Sequence, residues 1–254
     1  MIKLTTTQVK GIALISMIID HTASVFSTVL PKWIVSSGEF IGGLAFPLFA
    51  YLLVEGFYRT RNFNRYLLRL ALFWLISIIP FHLASNAVLT YPLGLDWTSI
   101  FNNVLFTLFC SLLMLGLLGK TTNKINYFFI VIVFALVTAL SDWGVIGIGV
   151  TFLYYCFHQK KQAIYIVPFF ISCYRLIHAI CEFYILGFKA VSPNLINDTF
   201  VYCLSYFFTI PILQSITQTA QKPSRFFQIA CYIFYPVHLL ILFWIAQLLK
   251  TKIF

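Results

Sequence analysis

Charge is what this sequence has least of. Only 9% of its 254 residues are Asp, Glu, Lys or Arg, whereas soluble globular chains carry about 25%. A water-soluble domain of this length needs far more polar surface, so the shortage excludes one. Acids are the scarcer sign: 7 Asp and Glu against 17 Lys and Arg give a formal net charge of +10. A basic surplus can indicate nucleic acid, but here the cations sit in short clusters between apolar runs. That is how membrane proteins carry their orientation signal, and nucleic acid is excluded as a partner. The 6 cysteines all fall in apolar stretches with no C-x-x-C pair, so neither a redox nor a metal role is expected of them. The first apolar run lacks a small-residue cleavage site and holds Asp20 and His21, which argues against a cleaved signal peptide. Internal repeats and long linkers are also missing, so residues 1–254 read as one integral membrane domain.

What is abundant is apolar sequence, 61% of the chain. A membrane span takes about 20 mostly apolar residues. Nine candidate spans result, near 10–30, 40–58, 66–89, 100–118, 125–141, 144–158, 162–186, 196–216 and 226–249. With the N-terminus cytoplasmic, the inner segments hold Lys3, Lys10, Arg59, Arg61, Arg65, Lys120, Lys124, Lys160, Lys161, Lys222 and Arg225. The outer segments hold Lys32, Lys189, Lys250 and Lys252. Eleven against four satisfies the positive-inside rule. The fold class predicted is all-α, a polytopic transmembrane helix bundle of about nine spans with the C-terminus outside.

Ionisable side chains within such spans cost roughly 2.5–3.5 kcal/mol each on insertion scales and are functional candidates by default. Asp20 and His21 fall mid-way along the first span, and Glu55 falls near the inner end of the second. His82 follows Pro80 in the third, and His238 follows Pro236 in the ninth. Arg175, His178 and Glu182 share one face of the seventh, where they could simply neutralise one another. Adjacent helical residues point about 100° apart, so one of Asp20 and His21 would face a reaction centre while the other meets a neighbouring span. Histidine is the natural general base near neutral pH; the bland reading is a buried polar pair that locks helix packing. Glu55 and Arg59 are spaced for an intrahelical ion pair. Arg59, Arg61, Arg65 and Arg69 could bind phosphate through their planar forks, or serve only orientation and contact with anionic lipid.

Several of these residues lie in a recognisable order. Met17-Ile18-Ile19-Asp20-His21 is followed by Phe46-Pro47-Leu48-Phe49-Ala50, Val54-Glu55-Gly56-Phe57, Arg59-Thr60-Arg61-Asn62 and Tyr66-Leu67-Leu68-Arg69-Leu70. Asn103-Val104-Leu105-Phe106-Thr107-Leu108, Asp142-Trp143-Gly144 with Gly147, and Tyr235-Pro236-Val237-His238 complete the series. In this the chain resembles the TraX family, multi-span bacterial proteins named for acetylating conjugative pilin at its N-terminus. The chain departs from the family pattern at Gly42-Gly43-Leu44, where a Gly-Arg pair before Phe-Pro would be expected. The resemblance implies an acetyl-CoA-dependent acyltransferase of the bacterial cytoplasmic (inner) membrane. Acyl-CoA would enter from the cytoplasm, and the acceptor, a peptide N-terminus or a surface glycan, would lie on the far side. His21 would be the general base or the group that carries the acetyl, with Asp20 or His238 assisting and Glu55 also in the site. Arg59, Arg61, Arg65 and Arg69 would hold the phosphates of CoA.

Two other readings compete. A proton-coupled secondary transporter would use the same intramembrane Asp, His and Glu, although the paired, Gly/Pro-broken repeats common in transporters are not found. A non-catalytic assembly or immunity protein would need them only for packing. Binding of acetyl-CoA separates the first reading from both.

Overall fold

The computed structural model describes residues 3–87, 100–186, 195–217 and 225–253. Among them are ten helices: α1 (Thr6–Val25), α2 (Lys32–Gly42), α3 (Ala45–Arg59), α4 (Phe63–Ser85), α5 (Val104–Leu118), α6 (Lys124–Val137), α7 (Gly144–Cys156), α8 (Ala163–Leu186), α9 (Leu195–Gln214) and α10 (Arg225–Ile253). Helix is what these runs must form in lipid, where every backbone polar group has to be satisfied within its own segment. Polar residues at the starts mark the boundaries. Thr5 and Gln8 close a reciprocal capping box on α1, and Asn62, Asn103 and Asn123 each accept an N-terminal N–H of α4, α5 and α6.

The observed all-α architecture agrees with the sequence. Each of the nine apolar segments holds a helix, and the surprise is α2, which extends the second segment back to Lys32. Five stretches are long and apolar enough to cross a membrane: Lys32–Arg59, Phe63–Ser85, Ala163–Ile185, Leu195–Gln214 and Phe226–Lys250. Helices α5, α6 and α7 are equally apolar but have only 15, 14 and 13 residues, fewer than the ~20 of a straight crossing. The reason for the shortness of the last two is the tight turn at Ser141–Gly144. Lys189 and Lys222 lie outside the described residues.

Helices α3, α5 and α7 pack on one another at the centre, with α1 against α2, α3 and α10. Helix α5 buries Phe106, Leu112, Met114 and Leu115 together with Thr107 and Ser111. The outer helices do the reverse. Leu75 and Ile79 of α4, Phe128 and Leu136 of α6, Ile177 and Ile185 of α8, and Trp244 and Leu248 of α10 are all more than half exposed. Apolar surface on that scale fits hydrocarbon and not water, so this is a membrane protein.

Two contacts position the helices that carry the polar residues. Gly38 and Gly42, four residues apart on α2, let α1 come close: a Cβ at Gly42 would overlap the Asp20 carboxylate, and one at Gly38 would overlap Ala23 Cβ. This is the small-xxx-small contact of membrane helices. At the other end of the bundle, Leu4 and Ile216 form a parallel bridge that ties the N-terminal segment to the end of α9.

Candidate functional site

Helix α1 stops at Val25, where the Phe26 N–H caps back onto Thr22 and Ser24. Asp20 and His21 therefore stand in its last two turns, not at its middle. His238 reaches the same place from α10, and the two imidazoles meet at 2.8 Å between His21 Nδ1 and His238 Nε2. Their rings are near-parallel, 7° apart.

The proton positions are dictated by the acceptors. His238 Nδ1 lies 2.9 Å from the carbonyl oxygen of Phe234, and a carbonyl can only accept. A neutral His238 thus carries its hydrogen on Nδ1 and a lone pair on Nε2. That lone pair accepts from His21 Nδ1–H, and the lone pair of a neutral His21 is left on Nε2. A carbonyl, a histidine and a second histidine make a chain that fixes one tautomer, as the partner of a catalytic histidine commonly does.

A cavity of about 270 Å³ opens beside this pair. Its walls include His21, Asp20, Asp142, Trp143, Arg175 and Tyr202. Asp142 and Trp143 belong to the turn between α6 and α7, which Thr107 of α5 holds by hydroxyl contacts to Ser141 Oγ and the Asp142 carbonyl. Trp143 adopts a left-handed conformation (φ 63°) and stacks on Phe46 at 4.3 Å between ring centres. For a bulky residue that backbone costs on the order of 1–3 kcal/mol and persists only where the surroundings hold it. The Asn103, Thr107 and Asp142-Trp143-Gly144 motifs thus work on the same piece of structure. Asn103 caps α5, and Thr107 fixes the turn that lines the cavity.

Arg175 does not pair with His178 and Glu182. Those two approach each other at 3.8 Å on an exposed face of α8, while the Arg175 guanidinium lies 4.5 Å over the Tyr202 ring at the cavity wall. It is the cation of this site. Gly43, where a cation was expected, packs closely on α9: a Cβ would lie 2.6 Å from Ser205 Oγ, so a side chain there requires Ser205 to shift.

Of the predicted site residues, His21, Asp20 and His238 come together. Glu55 does not join them. It lies near the other end of α3, 2.8 Å from the Arg59 guanidinium and 3.1 Å from His158 Nε2, with His158 stacked on Tyr58. Arg61, Arg65 and Arg69 are exposed, and Arg69 sits 6.0 Å over Tyr66. His158 is the last residue of the sixth predicted span (144–158) and does not stand out in the sequence, because it lies at the very edge of the apolar run. The nearby Lys160 and Lys161 read there as orientation signals alone. Tyr202 carries no signal beyond aromaticity, whereas Trp143 stands in the Asp142-Trp143-Gly144 motif. Among the described residues no group of three or more His, Cys, Asp or Glu could hold a metal ion.

The family of the TraX protein matches the chain over residues 5–246. The chain belongs to the TraX family. A relative from Dichelobacter nodosus, a probable fimbrial assembly protein (FimC, serogroup H1), is 30% identical across 97% of this chain and 95% of its own length. No solved structure matches.

Proposed function

We propose that this TraX-family protein is a membrane-embedded acyltransferase that moves an acyl group, in the first instance acetyl, from cytoplasmic acyl-CoA to an amine on the far side of the inner membrane. The observation that supports it best is the Phe234 carbonyl–His238–His21 chain, which leaves an unprotonated imidazole nitrogen on His21 beside a polar cavity. His21 Nε2 takes a proton from the acceptor amine as its nitrogen attacks the thioester carbonyl. The C–N bond forms, the C–S bond breaks, and the leaving thiolate recovers the proton from the His21 imidazolium. The products are an amide and free CoA. Arg175 supplies a cation where negative charge develops on the thioester oxygen. Asp20 or Asp142 takes the extra proton of an acceptor that arrives as ammonium, leaving the neutral amine to attack, and this favours an amine over a neutral hydroxyl as acceptor. The relative's description as a fimbrial assembly protein fits the N-terminus of a fimbrial subunit in that role. The cluster Arg59, Arg61, Arg65 and Arg69 draws the donor's phosphates to the cytoplasmic end.

The test is acetyl-CoA binding and CoA release by the purified protein, wild type beside His21→Ala. The expected result is saturable binding in both, with turnover reduced about 10²–10⁴-fold in the variant, the usual worth of a general base. Failure of the wild type to bind acetyl-CoA at millimolar concentration would overturn the proposal in favour of proton-coupled transport.

A further inference from the structure

Behind the reaction cavity lies a second and larger one that no motif marks. It has a volume of about 520 Å³, within the range of small-molecule sites. Its walls come from the last turns of α3 and α7, the start of α8 and the end of α9, and they include Tyr51, Tyr154, His158, Lys160, Lys161 and Gln214. On the positive-inside reading this is the cytoplasmic end.

We propose that this cavity seats the phosphorylated nucleotide head of the acyl donor, with Lys160 and Lys161 on its phosphates and the tyrosine rings against its base. The proposal rests on the acyl-CoA reading above and assigns the donor a place that the arginine cluster does not line. Four observations carry it. Lys160 and Lys161 are exposed and have no carboxylate partner among the described residues. Glu55, a carboxylate in the lining, is already taken by Arg59 and His158, so it does not repel an anion. Tyr154 is 2% exposed, yet its Oη has no hydrogen-bond partner among the described residues. A buried hydroxyl left that way is costly, and a ligand group would satisfy it. Gln159, just before the lysine pair, is left-handed (φ 63°), a strained backbone of the kind that clusters at ligand sites.

Placement relative to the reaction cavity also fits. Helices α3 and α7 line both: Phe46 and Ile146 the first, Tyr51 and Tyr154 the second. From Ile146 to Tyr154 is eight residues, about 12 Å at 1.5 Å per residue. A donor whose head is held below and whose thioester ends a long flexible arm spans that interval.

The probe is the phosphorylated ADP head of CoA without its arm, titrated into the full chain in detergent. Wild type and His21→Ala should bind it alike. Lys160→Gln/Lys161→Gln should weaken binding about tenfold or more, which is 1.4 kcal/mol or more. Tyr154→Phe should weaken it about threefold with thermal stability unchanged or raised, since the variant removes only an unsatisfied hydroxyl. Lys120→Gln, removing a positive charge at an exposed position outside the cavity lining, should change it less than about threefold. Undiminished binding in both the lysine and tyrosine variants would overturn the site, as would displacement of the probe by phosphatidylglycerol, which would make it a lipid seat. If acetyl-CoA still turned over in those variants, the acyltransferase reading would survive the loss. Tight head binding with no transfer from acetyl-CoA would sink that reading and leave the nucleotide site standing.

Discussion

His238 touches His21 through one nitrogen and the Phe234 carbonyl through the other, so its proposed part is to hold a proton arrangement and not to meet substrate. That separates its variants from those of His21. His238→Ala is expected to lower kcat by at least about tenfold while the KM for acetyl-CoA moves less than threefold, because the lost interaction matters only in the transition state. Steady-state kinetics on the purified variant checks this, and an equal rise in KM would instead mean that the dyad shapes the donor site. Sequence alone brought His21, His238 and Asp20 forward, since an ionisable group in an apolar run stands out by its cost. It could not show that His238 sits on His21, 217 positions away. Nor could it separate Arg175 from His178 and Glu182. One helical face carries all three, and only the arrival of Tyr202 from α9 decides which of them turns inward.

At the scale of elements, the site exists because α1 and α2 touch almost backbone to backbone. Gly42→Ala places a methyl group on the Asp20 carboxylate, and the helices must part or Asp20 must leave the cavity wall. The expected cost is about 1–3 kcal/mol, typical of an overpacked contact, read as a lower melting temperature in detergent together with reduced CoA release. A full-strength melt with normal activity would show that the contact is dispensable. The glycine pair was visible in the sequence as Gly38-x-x-x-Gly42 and could have been read as a helix contact. What hid it was α2 itself, a helix in which Ser36, Ser37 and Glu39 interrupt the apolar run ahead of the second span. The end of α1 was misplaced for a related reason. Val29 and Leu30 prolong the apolar run beyond Val25, and hydropathy does not register the turn that closes the helix there.

For the whole molecule, composition made the membrane class legible, and the lysines and arginines predict its sidedness. In a cysteine-free background, Thr122→Cys between α5 and α6 should react with an impermeant thiol reagent only from the cytoplasmic side. Ser27→Cys, just beyond α1, should react only from outside. The reverse pattern would invert the direction of the proposed transfer. Less legible was the division of labour between the two ends of the bundle, because each cavity is assembled from helices far apart in sequence.

Helix α7 has a property that neither end reveals alone. A left-handed residue stands at each boundary, Trp143 before Gly144 and Gln159 after the cap at Phe157, and each lines a different cavity. The 13-residue helix between them is therefore a gauge block, clamped at both faces, that sets how far apart the two chambers sit. Its length is the quantity under constraint. One alanine inserted after Val150 would advance the lower half by about 1.5 Å and swing it through about 100°, carrying Tyr154 and His158 off their cavity while Trp143 stayed put. Such an insertion should abolish CoA release, whereas the same residue added to the exposed turn at Thr122 should pass nearly unnoticed. Relatives would then be free to vary their loops and bound to keep this one count.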